Sequence, residues 1–226
     1  MVKYFPSFIM AIQAIIFDMD GVLADSEPLW NDIDAAFLRN FDIDYHGEHK
    51  LHVMGKSFPL SSQFYKEQYK IERSITELVK LRTEAAREVY ATKIVLFDHV
   101  PQVLEKLHDS HWRIGLATST VRECAIPMLE RHDIKKYFHK ITTGDEVERG
   151  KPYPDIYLRA ASKLNMEPVN VLVVEDSPAG IEAAQCAGMR VAAIPDRRIA
   201  GIDDLVKNAD FILDGIKDLP ELAQSL

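Results

Sequence analysis

A short apolar run, Ile12-Gln13-Ala14-Ile15-Ile16-Phe17, ends abruptly in Asp18-Met19-Asp20-Gly21. The run is too short and too uniformly apolar for a surface helix, and it predicts a buried central strand over 12–17. Carboxylates are rarely buried unpaired, so two of them at the mouth of such a strand call for a cation or a reaction. In open parallel sheets ligands bind at the carboxyl ends of the strands. A capped turn can also carry Asp-x-Asp-Gly, so the residues that follow the other strands decide the matter.

From about Lys93 onward the sequence alternates strand and helix. Strands are predicted over 112–117, 140–142, 171–174, 191–194 and 211–213, with helices over 121–131 and 154–164. Ser177-Pro178 reads as an N-cap with proline at the first helical position, opening a helix that stops at Gly188. This alternation implies an α/β fold, a Rossmann-like parallel sheet with helices on both faces. Residues 25 to 91 break the rhythm. Segments 29–40, 60–70 and 74–90 are amphipathic and charge-rich, with no convincing strand among them. The expected division is a Rossmann-like core from 10–24 and 94–226, a small helical cap from 25–93 inserted after the first strand, and an N-terminal extension over 1–9.

The 226 residues suffice for such a core plus an insert, with 47% hydrophobic residues to fill it. The balance of 27 Lys+Arg against 35 Asp+Glu gives −8, which argues against general binding of nucleic acid or an anionic membrane. An enzyme of anionic substrates would then need its positive charge placed locally. Cys124 and Cys186 lie far apart in predicted helices and read as reduced core thiols of a cytoplasmic protein. The opening Met1–Met10 has one Lys and lacks a small-residue cleavage site, so no signal peptide is expected.

Four pieces fall at the ends of four predicted strands. Asp18 and Asp20 follow the first, and Thr118 and Ser119 follow 112–117. Lys151 sits in Gly150-Lys151-Pro152-Tyr153-Pro154-Asp155, and Glu175 and Asp176 follow 171–174. Parallel strands point one way, so all four should converge on one edge. Clustered carboxylates repel one another unless a cation lies between them, and hard oxygen ligands favour Mg²⁺. Lys151 and the Thr118 hydroxyl could then hold the remaining oxygens of a phosphoryl group.

These pieces, Asp18-Met19-Asp20-Gly21-Val22, Thr118-Ser119, Gly150-Lys151-Pro152-x-Pro154-Asp155 and Glu175-Asp176-Ser177-Pro178-x-Gly180, resemble the four motifs of the haloacid dehalogenase-like hydrolases, in the family's order and over residues 15–180. The insert after the first motif resembles that family's small α-helical cap. The resemblance implies Asp18 as nucleophile, forming an aspartyl-phosphate, and Asp20 as general acid and then base. It implies Mg²⁺ held by Asp18, Asp176 and the main-chain carbonyl of Asp20, with Glu175 a direct or water-mediated ligand. Thr118, Ser119 and Lys151 would bind the transferring group, Ser119 in a mainly structural role. Asp20 argues against the true dehalogenases, which attack carbon.

Within the family, Asp25-Ser26-Glu27-Pro28-Leu29-Trp30 resembles hexose- and hexitol-phosphate phosphatases. The alternative is a mutase of the β-phosphoglucomutase kind. That pattern expects a His at the position of Trp30 and an Arg at that of Phe58, and it has a Lys-Asn pair where this chain has Val121-Arg122. A more distant alternative is a non-enzymatic phospho-aspartate signalling module, against which the insert and Asp20 speak. The expected substrate is a small sugar or polyol phosphate, with Trp30 and Lys56 of the cap as candidate contacts, acted on by a monomer without nucleic-acid or membrane partners. His46, His49 and His52 are spaced to share a helix face. Gly47 between them and the competing core site argue against a second metal there. Asp145 and Glu146 read as a solvated turn.

Overall fold

The computed structural model describes residues 11–226, and the expected extension over 1–9 lies outside them. Strand β1 (Ala14–Phe17) is buried along its whole length. It leads through Gly21, in the left-handed region at φ +81°, into β2 (Ala24–Asp25). Helices α1 (Glu27–Leu38), α2 (Lys50–Val53), α3 (Phe58–Tyr69) and α4 (Ile75–Thr92) follow, and β3 (Val95–Leu96) then returns antiparallel to β2. The chain continues as α5 (Val100–His108), β4 (Arg113–Ala117), α6 (Arg122–Arg131) and β5 (Lys140–Thr142). Next come α7 (Asp155–Leu164), β6 (Val171–Glu175), α8 (Pro178–Cys186) and β7 (Arg190–Ala193), and finally α9 (Ile202–Val206), β8 (Phe211–Ile212) and α10 (Leu219–Gln224).

Six strands form one parallel sheet in the order β5-β4-β1-β6-β7-β8. The period of two sends alternate β1 side chains to opposite faces. Ile15 and Phe17 pack with α5 and α6 residues such as Val103, Leu104, Cys124 and Met128. Ala14 and Ile16 pack with Ile156, Ala160, Ile181 and Ala184 of α7 and α8. Apolar layers on both sides make this the α/β, Rossmann-like sheet that the strand pattern implied. Its carboxyl edge carries the ends of β1, β4, β5 and β6 side by side.

The helices between β2 and β3 have a core of their own, built from Phe37, Leu38, Tyr45, Val53, Tyr65 and Leu78. Helix α4 starts with a capping box, in which Ser74 Oγ accepts from Glu77 N (3.3 Å) and Glu77 Oε2 accepts from Ser74 N (3.0 Å). Each bond satisfies an orphan donor of the first turn. Helix α8 starts as its sequence predicts: Ser177 Oγ accepts from Gly180 N (3.1 Å) and Pro178 stands at the first position.

Several expectations need correction. The sequence pattern does not predict the ribbon β2–β3 or helices α2, α5, α9 and α10. Cys124 is buried in the core, whereas Cys186, at the last position of α8, is exposed rather than a core thiol. Asp145 is exposed, as the solvated turn implies, whereas Glu146 is half-buried and bound on several sides. Asp145 Oδ1 accepts from Arg122 N (2.9 Å), and Glu146 takes bonds from Thr143, Arg159 and Lys163. Among the described residues no helix is long and apolar enough to cross a membrane.

Candidate active site

The strand-end side chains of the site come from four strands, β1, β4, β5 and β6. Asp18 follows β1 directly, its N–H bonded to Val174 O (2.9 Å), so the neighbouring strand β6 fixes its backbone. Lys151 comes from the loop between β5 and α7, and Glu175 closes β6. Lys151 Nζ donates to Asp18 Oδ1 (2.7 Å) and to Glu175 Oε1 (2.5 Å), with all three groups buried. The ammonium also lies 5.0 Å from the centroid of the Tyr157 ring. Burial opposes the charge on Lys151, but Asp18 and Glu175 outweigh it and hold the ammonium above its ordinary range.

Glu175 is saturated. Its Oε1 also accepts from Tyr157 OH (2.7 Å), while Oε2 accepts from Asp176 N (2.9 Å), Ser177 N (3.0 Å) and Ser177 Oγ (3.0 Å). Burial pushes this carboxyl up, yet Lys151 and those donors prevail and hold it below its ordinary value. Space is equally spoken for: a Cβ on Gly180 would fall 1.7 Å from Glu175 Oε1.

Asp18, Glu175 and Asp176 bring one oxygen each within 4.8 Å of one another. Three carboxylates face one ammonium, and the imbalance is legible in the two that are less well served. Burial, opposed by Lys151 but reinforced by Glu175 and Asp20, pushes Asp18 up to about 7. Burial, together with Glu175 and Asp18, raises Asp176 well above the carboxylate range. Among the described residues neither Asp18 Oδ2 nor either Asp176 oxygen accepts a hydrogen bond from the protein. Open hard oxygens with uncompensated negative charge fit a divalent cation such as Mg²⁺.

Asp20 takes its hydrogen bonds from a different set of donors. Tyr90 OH donates to its Oδ1 (2.6 Å) and Thr120 Oγ1 to its Oδ2 (2.7 Å). Burial raises its carboxyl, although those two bonds pull the other way. Thr118 is fully buried; its Oγ1 accepts from Thr120 N (3.1 Å) and lies 3.4 Å from Asp20 Oδ2. Ser119 Oγ donates to Gly55 O (2.9 Å), joining the loop after β4 to the helical insert. Met19 is packed in the core.

A cavity lies between the strand ends and the insert, lined from below by Asp18, Asp20, Ser119, Thr120 and Asp176. From above it is lined by Glu27, Trp30, Asn31, Lys50, Lys56 and Arg82, among others. Trp30 therefore borders the cavity and also packs edge-on against Phe58 (5.9 Å) and Tyr90 (6.0 Å). The insert meets the core closely: a Cβ on Gly55 would fall 2.3 Å from Ser177 Oγ, and one on Gly150 would fall 2.3 Å from Ser57 Cβ.

Sequence reading missed four residues here. Thr120 extends the hydroxyl run Thr118-Ser119-Thr120, a signal that was available. Tyr90 gave none, since at helical spacing it reads as part of the apolar face of α4. Glu27 and Lys50 form an ion pair across the cavity wall (2.7 Å), between helices whose packing the sequence does not reveal. His49 and His52 pack in an aromatic cluster, with His52 stacked on Phe64 (5.2 Å), and among the described residues they belong to no metal-binding group.

The sequence model of the haloacid dehalogenase-like hydrolases matches residues 15–194. A phosphorylated carbohydrates phosphatase of Thermotoga maritima is 34% identical over 178 residues, covering 79% of this chain and 82% of the relative. The (DL)-glycerol-3-phosphatase 2 of Arabidopsis thaliana is 30% identical over 197 residues, covering 84% of this chain and 82% of its own. Among solved structures, CbbY from Rhodobacter sphaeroides in complex with phosphate matches with a TM-score of 0.83, covering 95% of this chain and 100% of that one. At 24% identity that likeness is one of fold.

Proposed function

This chain belongs to the haloacid dehalogenase-like hydrolases, and we propose that it is a Mg²⁺-dependent phosphatase of a small sugar or polyol phosphate, working through an aspartyl-phosphate on Asp18. The observation that carries the reading is a division of labour between two aspartates. Asp18 lies in the Lys151–Glu175–Asp176 cluster, while Asp20, two residues on, is bonded instead to Tyr90 and Thr120. The named phosphatase relatives support the same reading.

Asp18 presents an oxygen that no protein donor engages, suited to in-line attack on phosphorus. As the new O–P bond forms and the ester P–O bond breaks, the proton of Asp20 passes to the leaving oxygen. A water then attacks the aspartyl-phosphate and gives its proton back to Asp20, releasing phosphate and restoring the Asp18 carboxylate. A carboxyl raised by burial holds its proton nearer neutrality, as an acid must. Lys151 is the fixed positive charge beside the nucleophile and, together with Thr118 and Ser119, a candidate phosphoryl contact. Asp18, Asp176 and the main-chain carbonyl of Asp20 would hold the metal. Glu175, its oxygens taken by protein donors, would supply negative charge beside the metal rather than a ligand atom. When bound, the cation supplies the charge that keeps Asp18 ionised and offsets the phosphoryl oxygens.

The helices of 25–93 act in this reading as a cap over the leaving group. Trp30 offers an aromatic surface, Lys56 a charge, and the Glu27–Lys50 pair and Asn31 offer hydroxyl partners. Phe58, where the mutases place an arginine, is buried against Trp30 and beneath Arg82. Its burial supports hydrolysis over the mutase alternative. A cytoplasmic monomer without nucleic-acid or membrane partners completes the proposal.

The test is a panel of hexose, hexitol, pentose and glycerol phosphates with Mg²⁺ or EDTA. Phosphate release from at least one ester, lost with EDTA and in Asp18→Asn, is expected. No turnover of any of them, or full activity in Asp18→Asn, would sink the mechanism. Conversion of β-glucose 1-phosphate to the 6-phosphate without phosphate release would select the mutase.

A further inference from the structure

Both oxygens of Asp20 are gripped by hydroxyls from outside its own loop. Tyr90 OH donates to Oδ1 at 2.6 Å, Thr120 Oγ1 donates to Oδ2 at 2.7 Å, and the two hydroxyls lie 3.1 Å apart. Thr120 belongs to the loop after β4. Tyr90 stands in the last turn of α4, the helix through which the chain leaves the insert. Its ring is fully buried and packed edge-on against Trp30 (6.0 Å). A buried phenol needs an acceptor, and any carbonyl would satisfy it. This one is bonded to a carboxylate bordering the cavity, 70 positions away in sequence.

We infer that Tyr90 is a positioning residue for Asp20: with Thr120 it fixes the carboxyl's rotation, so that the proton is aimed at the leaving oxygen. The inference rests on the reading of Asp20 as the acid. A carboxyl free to turn loses part of its advantage in proton transfer, because general acid catalysis requires the donor within hydrogen-bond reach of the receiving atom. The loss falls selectively on esters whose leaving group needs the proton. An alkoxide does, and a nitrophenolate does not.

Tyr90→Phe keeps the ring and its contacts and removes only the hydroxyl. The experiment compares kcat/KM on a primary alkyl phosphate from the panel above with kcat/KM on 4-nitrophenyl phosphate, since this parameter reports the step in which the leaving group departs. The alkyl-to-aryl ratio is expected to fall about tenfold in Tyr90→Phe, a share of the roughly 10²–10⁴ that a general acid supplies. In an Asp20→Asn background the same substitution should leave the ratio where Asp20→Asn alone puts it, since the two residues act as one unit. Thr120→Val removes the short bond to Oδ2, leaving there only Thr118 Oγ1 at 3.4 Å, without disturbing α4 and should lower the ratio likewise, which keeps the test available if Tyr90→Phe folds poorly. Equal slowing of both esters, an unchanged ratio, or the same fall with and without Asp20 overturns the inference. Asp20→Asn separates the two levels. If it leaves the ratio at its wild-type value, the acid assignment itself fails. If it collapses the ratio while Tyr90→Phe and Thr120→Val do not, only the positioning role fails.

Discussion

Gly21 and Asp176, in the loops after β1 and β6, stand so close that a Cβ on Gly21 would fall 2.0 Å from Asp176 Oδ2. Gly21 is also in the left-handed region (φ +81°), which costs any other residue type about 1–2 kcal/mol. Gly21→Ala is therefore expected to lower stability modestly and, more tellingly, to push the Asp176 carboxyl out of the carboxylate cluster. A ligand that binds the folded state raises its melting temperature. Melting curves with and without Mg²⁺ should show a clear rise for the wild type and a much smaller one for Gly21→Ala. An undiminished rise in the variant would remove Asp176 from the metal's ligands.

What could be read in advance followed from burial and strand direction. Val171–Val174 and Ala14–Phe17 are apolar because both sheet faces are covered, so the strands and the side chains at their ends were legible from a few residues each. The charge types of Asp18, Lys151, Glu175 and Asp176 were visible in the same way. Partners were not. Glu175 engages Lys151 and Tyr157, 24 and 18 positions away, in contacts that depend on how α7 seats on the sheet. Tyr90 and Lys50 take their places from helix packing within the insert, where an amphipathic pattern gives a face but not a neighbour. The ribbon β2–β3 escaped because two residues on each side are too few for a period, and Val95 is exposed.

Arg82 and Asp34 form a buried ion pair within the insert, with Nε–Oδ1 at 2.9 Å and Nη2–Oδ1 at 2.8 Å. The guanidinium also donates to Ser61 Oγ and lies over the rings of Trp30, Phe58 and Tyr65. Arg82→Ala would leave Asp34 buried without its cation, for which about 3–5 kcal/mol is the expected loss. Urea unfolding should show it as a lower midpoint. Arg82→Ala combined with Asp34→Ala should cost less than the sum of the single changes, because the second substitution removes the orphaned charge. Strict additivity would mean that the pair contributes no coupling.

Glu146 accepts from Thr143 N (3.2 Å), Arg159 Nε (3.2 Å) and Lys163 Nζ (2.6 Å), pinning the loop that leads to Lys151. Burial raises its carboxyl, but Lys163, Thr143 and Arg159 outweigh it and hold the group below its ordinary value of 4.5. A carboxyl depressed in the folded state binds fewer protons there than in the unfolded chain. Its stabilisation is present above about 4.5 and is lost as pH falls through the lower folded value. Glu146→Gln should therefore be less stable than wild type at pH 7, by about 1 kcal/mol for a partly exposed network. The gap should narrow as the pH falls below 4.5 and through the lower folded value. Urea midpoints of the two proteins at pH 7, 5, 4 and 3.5 would show whether the difference depends on pH at all.

The two thiols should separate cleanly in chemical reactivity. Cys124 is in the core beside Thr83 O, and burial first, then the charge of Asp20, pushes its thiol up to about 12. Cys186 is exposed on the surface of α8. Because the thiolate is the nucleophile, a buried thiol with a raised pKa is protected twice over, by access and by protonation. At pH 8 a disulfide reagent such as 5,5′-dithiobis(2-nitrobenzoate) should react promptly with one equivalent of thiol in the folded protein and with two after denaturation. Cys186→Ser should abolish the prompt phase, and Cys124→Ser should leave it intact. The rate of the slow phase then measures how often the core around Cys124 opens. Agents that stabilise the fold, Mg²⁺ among them in the proposed function, should retard it if opening requires global unfolding. A slow phase indifferent to Mg²⁺ would mean that Cys124 is reached by a local opening short of global unfolding.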